Sequence, residues 1–397
     1  MSTVRYFDDI PHIGRYGMCN EEDGTSWTHF YRNGIRYTIH VDEKDVHGTA
    51  FHSIWKPLLG AYLEPGEPIL DSYNKFFDLI VSHSLTTLRE ITPDRPYWIT
   101  LRDYLHTPAY DLKLVSDNTE TDGVRAEISK GPEDVVSYEF RPFPAATFKN
   151  MPETIPEYRS DNLIVLDKET DWRVPPHKFR TSDGLICYFK ACERSSRLVQ
   201  TGKVTNRSLD SIEAHLRLFK CSQEKHDAYP ARRSTVLGIV TDTPFVPDES
   251  DPVTGEESQH DDQKNQALVA GIILSAPTSS HSQTLAKVIA QTETTDDIFF
   301  ETSRRWRCQI EKEVAHLHSI GIYWGGRDDW NYINQYTVLI DAESGDASLS
   351  LDTAALFYDS TSEDICTKLT AMDNNAIEAL FEGWLPEELS RKRNEGS

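Results

Sequence analysis

From Trp306 onward apolar residues recur at three- and four-residue steps. Ile310, Val314 and Leu317 alternate with charged positions until Gly321, a spacing that predicts an amphipathic helix closed by a glycine. Ile322, Tyr323 and Trp324 then form a short apolar entry to a polar loop. Two strand-like runs follow, 338–340 and 347–351, divided by the turn-forming Glu343-Ser344-Gly345-Asp346. Earlier in the chain, residues 35–41 alternate as a strand, while 72–88 carry an apolar face at helical period and are expected to form one helix before Pro93. Residues 117–134 are polar and read as loop. Strands are expected at 184–190, 236–240 and 268–274, and helices at 208–219, 283–290, 362–369 and 375–384.

A proline-rich connector, Pro142 and Pro144 through Pro152 and Pro156, marks the main boundary. It divides the chain into an α+β accessory region at 1–150, a strand-rich region at 151–277 and a helical region at 278–397. Within the second region, 244–266 carries Asp248, Glu249, Asp251, Glu256, Glu257, Asp261 and Asp262 and reads as an exposed acidic insertion.

Composition narrows the function classes. At 397 residues, 38% hydrophobic and 10% aromatic, the chain has enough apolar material for more than one core. A net charge of −23 repels phosphate partners at long range and leaves only a local basic patch as a route to nucleic acid. There is no apolar run of membrane-spanning length and no basic start leading into an apolar stretch, so no membrane association is expected. Cys19, Cys187, Cys192, Cys221, Cys308 and Cys366 lack paired metal-type spacing, and are expected as reduced thiols of a cytoplasmic protein.

Helix, loop, strand, turn, strand and Asp is the order of the catalytic segment of protein kinases. The segment resembles a fungal kinase-like family that reads roughly L-H-x-x-G-I-V-W-G-D-x-K-x-x-N-V-L-I-D, followed by A-W-I-I-D-F-G. Leu317-His318, Gly321-Ile322, Trp324-Gly325, Val338-Leu339-Ile340-Asp341 and Ala347 fall on that pattern, with Asp352 at the metal-binding Asp. The resemblance implies a degenerate protein-kinase-like two-lobe fold, 151–277 its small lobe and 278–397 a reduced helical large lobe. It also places Lys190 at the phosphate-gripping lysine, Glu213 as its ion-pair partner and Ser275-Ala276-Pro277 at the hinge.

The departures remove phosphoryl transfer. That reaction needs a carboxylate for the attacking hydroxyl and oxygen ligands for magnesium. The base position reads Gly326, the metal-binding Asn position Thr337, and the Phe-Gly after the metal Asp reads Thr353-Ala354. No glycine-rich loop follows 160–167, where Lys168 to Asp171 and Pro175-Pro176 stand instead. With 353–397 behind the segment, a peptide-binding subdomain is not expected.

The remaining candidates are acids and arginines. Asp328 and Asp329 are candidate shifted general bases in an inserted loop. Asp296, Asp297 and Glu301 lie near the hinge, the last two on one helix face and suited to holding a guanidinium. His316 and His318 lie on a helix and point apart, which suits core or partner-facing histidines better than metal ligands.

Two functions of different class follow. One is an enzyme similar to fungal arginine-containing cyclodipeptide synthases, specialised-metabolism enzymes that condense aminoacyl-tRNAs. That family is associated with an Asp-Asp-x-x-Glu motif, and here Glu301 comes one residue later. The resemblance implies catalysis by Asp297, Glu301, Asp328 and Asp329, and substrate binding by Asp296, Lys190, Glu213 and Asp352. It implies arginyl-tRNA contact through Arg304, Arg305 and Arg307, with help from Arg194 and Arg197, and neither cofactor nor metal. It is placed first because it accounts for both the lost phosphoryl-transfer groups and the acidic cluster. The alternatives are a pseudokinase scaffold with a protein partner and a residual small-molecule kinase.

Overall fold

The alternation at residues 35–41 becomes the centre of a five-stranded sheet. The computed structural model of the protein describes residues 12–18, 24–32, 35–59, 69–91, 98–119, 123–132, 140, 142–166, 176–193, 196–198, 204–225, 235–242, 268–275, 282–292, 297–327, 330–331, 333–351, 356–357 and 363–395. Strands β1 (His12–Met18), β2 (Thr25–Arg32), β3 (Ile35–Asp42), β4 (Ala109–Ser116) and β5 (Val124–Lys130) pair in chain order, antiparallel except at β3–β4. A parallel step needs a crossover. It is made by α1 (Glu43–Val46), α2 (Ala50–Leu58), α3 (Ile69–Ser82), α4 (Leu85–Ile91) and α5 (Leu101–Leu105). Tyr37, Ile39 and Val41, alternate residues of β3, enter one core with Phe51, Trp55, Phe76 and Ile80 of the helices.

Two expectations change here. The single helix over 72–88 is two helices, because the Ser84 hydroxyl donates to Ile80 O at 3.0 Å while its backbone N–H turns to Val81 O. Part of the stretch read as loop at 117–134 is β5. Its Arg125, Glu127 and Lys130 obscure the strand in the sequence, yet Ala126 opposes Leu114, and Gly123 supplies the turn at φ +74°.

Chain contacts divide the protein into two units. One contains Met1–Tyr138 and Ser160–Leu185, the other Glu139–Arg159, Ile186–Val246 and Gly255–Ser397. The stretch 160–185 therefore belongs with the accessory region instead of the strand-rich region. The reason is local pairing: Leu101 N donates to Leu163 O at 2.8 Å and Val165 N to Ile99 O at 2.9 Å. After β6 (Glu157–Arg159), which belongs to the second unit, β7 (Ile164–Val165) and β8 (Lys178–Arg180) form an antiparallel hairpin in the first.

After β6, the second unit continues with β9 (Ile186–Ala191), then the hairpin β10 (Ser196–Leu198) and β11 (Val204–Asn206), then α6 (Arg207–Lys225). Strands β12 (Val236–Asp242) and β13 (Leu268–Ser275) lie between β6 and β9, with β6 parallel to β12 and the other pairs antiparallel. Ile212 and Leu216 of α6 join Val236, Ile272 and Leu274 in one core. Ala214 and Leu218, on the other side of the same helix, join a second core made by the rest of the unit. The acidic insertion expected at 244–266 lies outside the described residues.

That rest comprises β14 (Gln283–Thr284), α7 (Leu285–Gln291), α8 (Asp297–Ser319), β15 (Ile322–Tyr323), β16 (Gly326–Arg327), β17 (Trp330–Asn331), β18 (Val338–Ile340), β19 (Ala347–Leu349), β20 (Leu356–Phe357), α9 (Glu363–Glu378) and α10 (Leu385–Glu395). As the spacing predicts, Trp306, Ile310, Val314 and Leu317 are the buried stripe of α8, and Gly321 ends it at φ +81°. The two closing helices expected from the sequence are instead continuous from 363 to 378. Buried Asp373 interrupts the apolar stripe there and splits the pattern on paper but not in space. A π-turn at Ala379–Trp384 leads into α10, just before Pro386, which has no N–H to donate and whose ring crowds the preceding turn. Lys392 of α10 donates to Ile289 O, Ala290 O and Thr292 O, at 2.7, 2.6 and 3.0 Å, capping the end of α7.

Strand β13 tolerates no side chain at position 271. A Cβ there would sit inside contact distance of Lys190 O and 2.7 Å from the Phe189 ring. Gly271→Ala is expected to cost about 1–3 kcal/mol through forced displacement of β9, read as a lower urea midpoint. An unchanged midpoint would show that the strands separate freely.

Candidate functional site

The loop after α8 is built around a carboxylate. Asp373 is fully buried on α9 and accepts from Trp324 N at 3.0 Å, Gly325 N at 2.7 Å and His318 Nε2 at 2.8 Å. A buried carboxylate is costly unless its lone pairs are filled, and here three donors fill them. The ring of His318 stacks on Tyr323 at a centroid separation of 4.8 Å. Burial first, and then a hydrogen bond with the Cys366 thiol, push the Tyr323 hydroxyl up to about 12.

The hairpin β18–β19 is fastened to α8. Gln309 Nε2 donates to Asp346 Oδ1 at 2.7 Å and its Oε1 accepts from Ala347 N at 2.8 Å, while Glu313 Oε1 accepts from Leu349 N at 3.1 Å. Residues four apart on a helix thus serve N–H groups two apart on a strand, since both spacings are near 6 Å. At the tip of the hairpin, Gly345 O accepts from both Arg305 Nη2 and Trp306 Nε1 at 2.7 Å. At the other end, Ser211 of α6 donates from its hydroxyl to Leu351 O at 2.8 Å.

The sequence-nominated residues scatter over this frame. Lys190 lies on β9 opposite Ile272, half-buried and on the same strand face as Tyr188 and Cys192, which pack with α6. Glu213 is buried on α6, and its carboxylate accepts from Lys149 N at 2.6 Å, Asn150 N at 3.2 Å and Asn150 Nδ2 at 2.8 Å. Asp297 starts α8, but its side chain lies outside the described residues, as do Asp296, Asp328, Asp329, Asp352 and Arg194 entirely and the side chain of Arg197. On either side of Asp328 and Asp329 in the sequence, β16 pairs with β17 antiparallel, with Arg327 opposite Trp330.

Glu301 is on the surface and pairs with Arg304 one turn away, at 3.1 Å. Arg305 is committed to Gly345 O, and Arg307 pairs with Glu311 at 2.7 Å and also with Glu382. The Arg307 guanidinium is held above its ordinary range by Glu382 first and Glu311 second. Trp306 is buried, 3% exposed, and presents no ring face for stacking.

Thr337, which the resemblance would place at a metal-binding Asn, is also buried. Its hydroxyl accepts from Asn334 N at 2.9 Å and donates to Asn334 O at 3.1 Å, closing a local turn. Sequence reasoning missed Asp373 altogether. A lone acid inside an otherwise apolar helical stripe was the available signal. Among the described residues no three His, Cys, Asp or Glu side chains are grouped to hold a metal ion, and no helix is long and apolar enough to cross a membrane. No protein-family model matches the chain, and no curated protein matches it.

Asp373→Ala is expected to leave buried N–H groups at 324 and 325 unpaired. The cost is about 3 kcal/mol, read by equilibrium denaturation; a loss below about 1 kcal/mol would mean the loop finds other acceptors. Tyr323 gives a second prediction. Its neutral form is favoured in the folded state, so the stability it contributes is complete below about pH 10 and falls as pH rises from about 10 to about 12. Urea midpoints of the parent protein should drop across that window more than those of Tyr323→Phe, and parallel curves would remove Tyr323 as the cause.

Proposed function

We propose that the second unit is a kinase-like frame that no longer transfers phosphate and serves as a binding scaffold for a protein partner. The frame part of this reading rests on α6, which joins the core against strands β12 and β13 to the helical core and ties itself to Leu351, the residue before Asp352. It rests also on Lys190 lying on the sheet face toward α6.

The loss of phosphoryl transfer rests on one observation above the others. Where the resemblance asks for a magnesium ligand, the Thr337 hydroxyl is buried and used in closing its own turn with Asn334. Gly326 offers no side chain at the base position. The carboxylate of Glu213, which the resemblance assigns as the ion-pair partner of Lys190, accepts from the 149–150 backbone, a structural use.

The synthase reading asks for a free acidic pair and an open arginine face. Glu301 pairs with Arg304, and Arg305 and Arg307 have protein partners, so the scaffold reading has the better support. Surface pairs of this kind are weak enough to be exchanged for a ligand, and for that reason the synthase remains the outcome to test against.

Purified protein incubated with arginine, a second amino acid, tRNA and the cognate synthetases is expected to release no diketopiperazine. Incubated with magnesium and γ-labelled ATP it is expected to transfer no label, with Lys190→Ala and Asp352→Ala indistinguishable from the parent. A diketopiperazine sensitive to Asp297→Ala or Glu301→Ala would replace the scaffold by the synthase. Magnesium-dependent ATP binding lost in Asp352→Ala would replace it by a small-molecule kinase.

A further inference from the structure

The connector that marks the main boundary in the sequence does more than join two regions. The chain leaves the first unit after Tyr138, crosses the second as 139–159, and re-enters the first at Ser160. Along that passage it is fixed twice over. Phe143 and Val269 exchange both backbone hydrogen bonds, at 3.0 and 2.8 Å, which attaches the connector to β13. Farther along, the backbone N–H groups of Lys149 and Asn150 and the Asn150 side-chain amide converge on the Glu213 carboxylate of α6. Between these anchors Phe148 is buried in the core shared by the sheet and α6, edge-on to Phe143 at 6.3 Å.

We propose that residues 142–150 are a strap that sets the position of α6 on the sheet, with Glu213 as its buckle. The geometry favours this over an incidental contact for two reasons. Glu213 is 6% exposed and its carboxylate is met by three N–H donors, a set that a buried carboxylate requires and that a surface pair would not supply. The strap also meets α6 at Glu213, next to Ile212, which with Leu216 enters the sheet core, while its other end is fixed to β13 of that same sheet. Ser211 to Leu351 O and Arg217 Nε to Ile320 O, at 2.8 and 3.3 Å, fasten the same helix to the other core. Helix α6 is therefore held from two sides, and the strap is the side that can be removed without touching the loop around Asp373. This does not depend on whether the unit binds a protein, an aminoacyl-tRNA or a nucleotide.

Hydrogen exchange on the full chain tests it. In Glu213→Gln the replacement amide faces N–H donors with its own N–H₂ group, and in Asn150→Ala one donor is gone. Each variant is expected to raise exchange in 207–225 about tenfold, the loss of one hydrogen bond to a charged group, while 297–319 and 363–378 keep the parent rates. The double variant is expected to exchange no faster than Glu213→Gln alone, because both changes open the same buckle. A Gly-Gly-Ser insertion after the exposed Glu153, beyond the anchors at 143 and 149–150, is expected to leave 207–225 unchanged. Parent-like exchange in both single variants, acceleration spread evenly over all three helices, additive rates in the double variant, or an insertion as damaging as Glu213→Gln would each overturn the strap.

Discussion

The helical half of the second unit depends on how Asp373 is satisfied. A carboxylate at zero exposure cannot be left to itself, and its three donors come from the last turn of α8 and the loop that follows. The consequence runs outward. With Trp324 and Gly325 held against α9, Ile322 and Tyr323 are placed to pair with β20, and the end of α8 is fixed relative to α9. Helix α8 in turn orders β19 through Gln309 and Glu313, so one buried charge and one amphipathic helix position both strands of the β18–β19 hairpin.

The second unit also spends its polar side chains on backbone more than on one another. Asp373, Glu213, Gln309, Glu313, Ser211, Arg217 and Lys392 all end on main-chain N–H or C=O groups. Short strands such as β15, β18 and β19 have few ladder bonds, and their remaining backbone groups need partners if they are to stay away from water. Side chains from neighbouring helices supply those partners. A sheet of long strands such as β1–β5 has less need of them, and there the cohesion comes from Tyr37, Ile39, Leu112 and Leu114 against the helices.

What the sequence revealed follows the same division. Periodicity located α8 and β3, which bury a regular stripe, while apolar runs located β12 and β13, buried at nearly every position, and a helical pattern located α6; Gly321 and Gly345 marked turns that adopt positive φ, as required. It lost β5 behind alternating charges and misjudged 160–185, whose membership depends on hydrogen bonds to residues 99 and 101 some sixty positions earlier. The partners of Asp373 were out of reach for a related reason, lying 48 to 55 residues upstream, although its place in an apolar stripe was visible. The site nominations fared likewise. That Glu301 meets Arg304 was foreseeable from their spacing of three, whereas the commitment of Arg305 to Gly345, forty residues away, was not.

Backbone-directed anchoring explains how a frame outlasts its chemistry. Asp373 bonds the N–H groups of residues 324 and 325, which every amino acid except proline carries, so the identity of residue 326 is irrelevant to the anchor. An Asp at that position can become Gly326 with the loop still held. Thr337 is satisfied in the same local way, its buried hydroxyl closing a turn with Asn334. On the proposed reading, substitutions that remove phosphate handling are nearly neutral for folding, while substitutions at Asp373 or Gly271 are not. On the proposed reading, selection for folding alone is enough to preserve such an architecture after its reactive groups have been replaced.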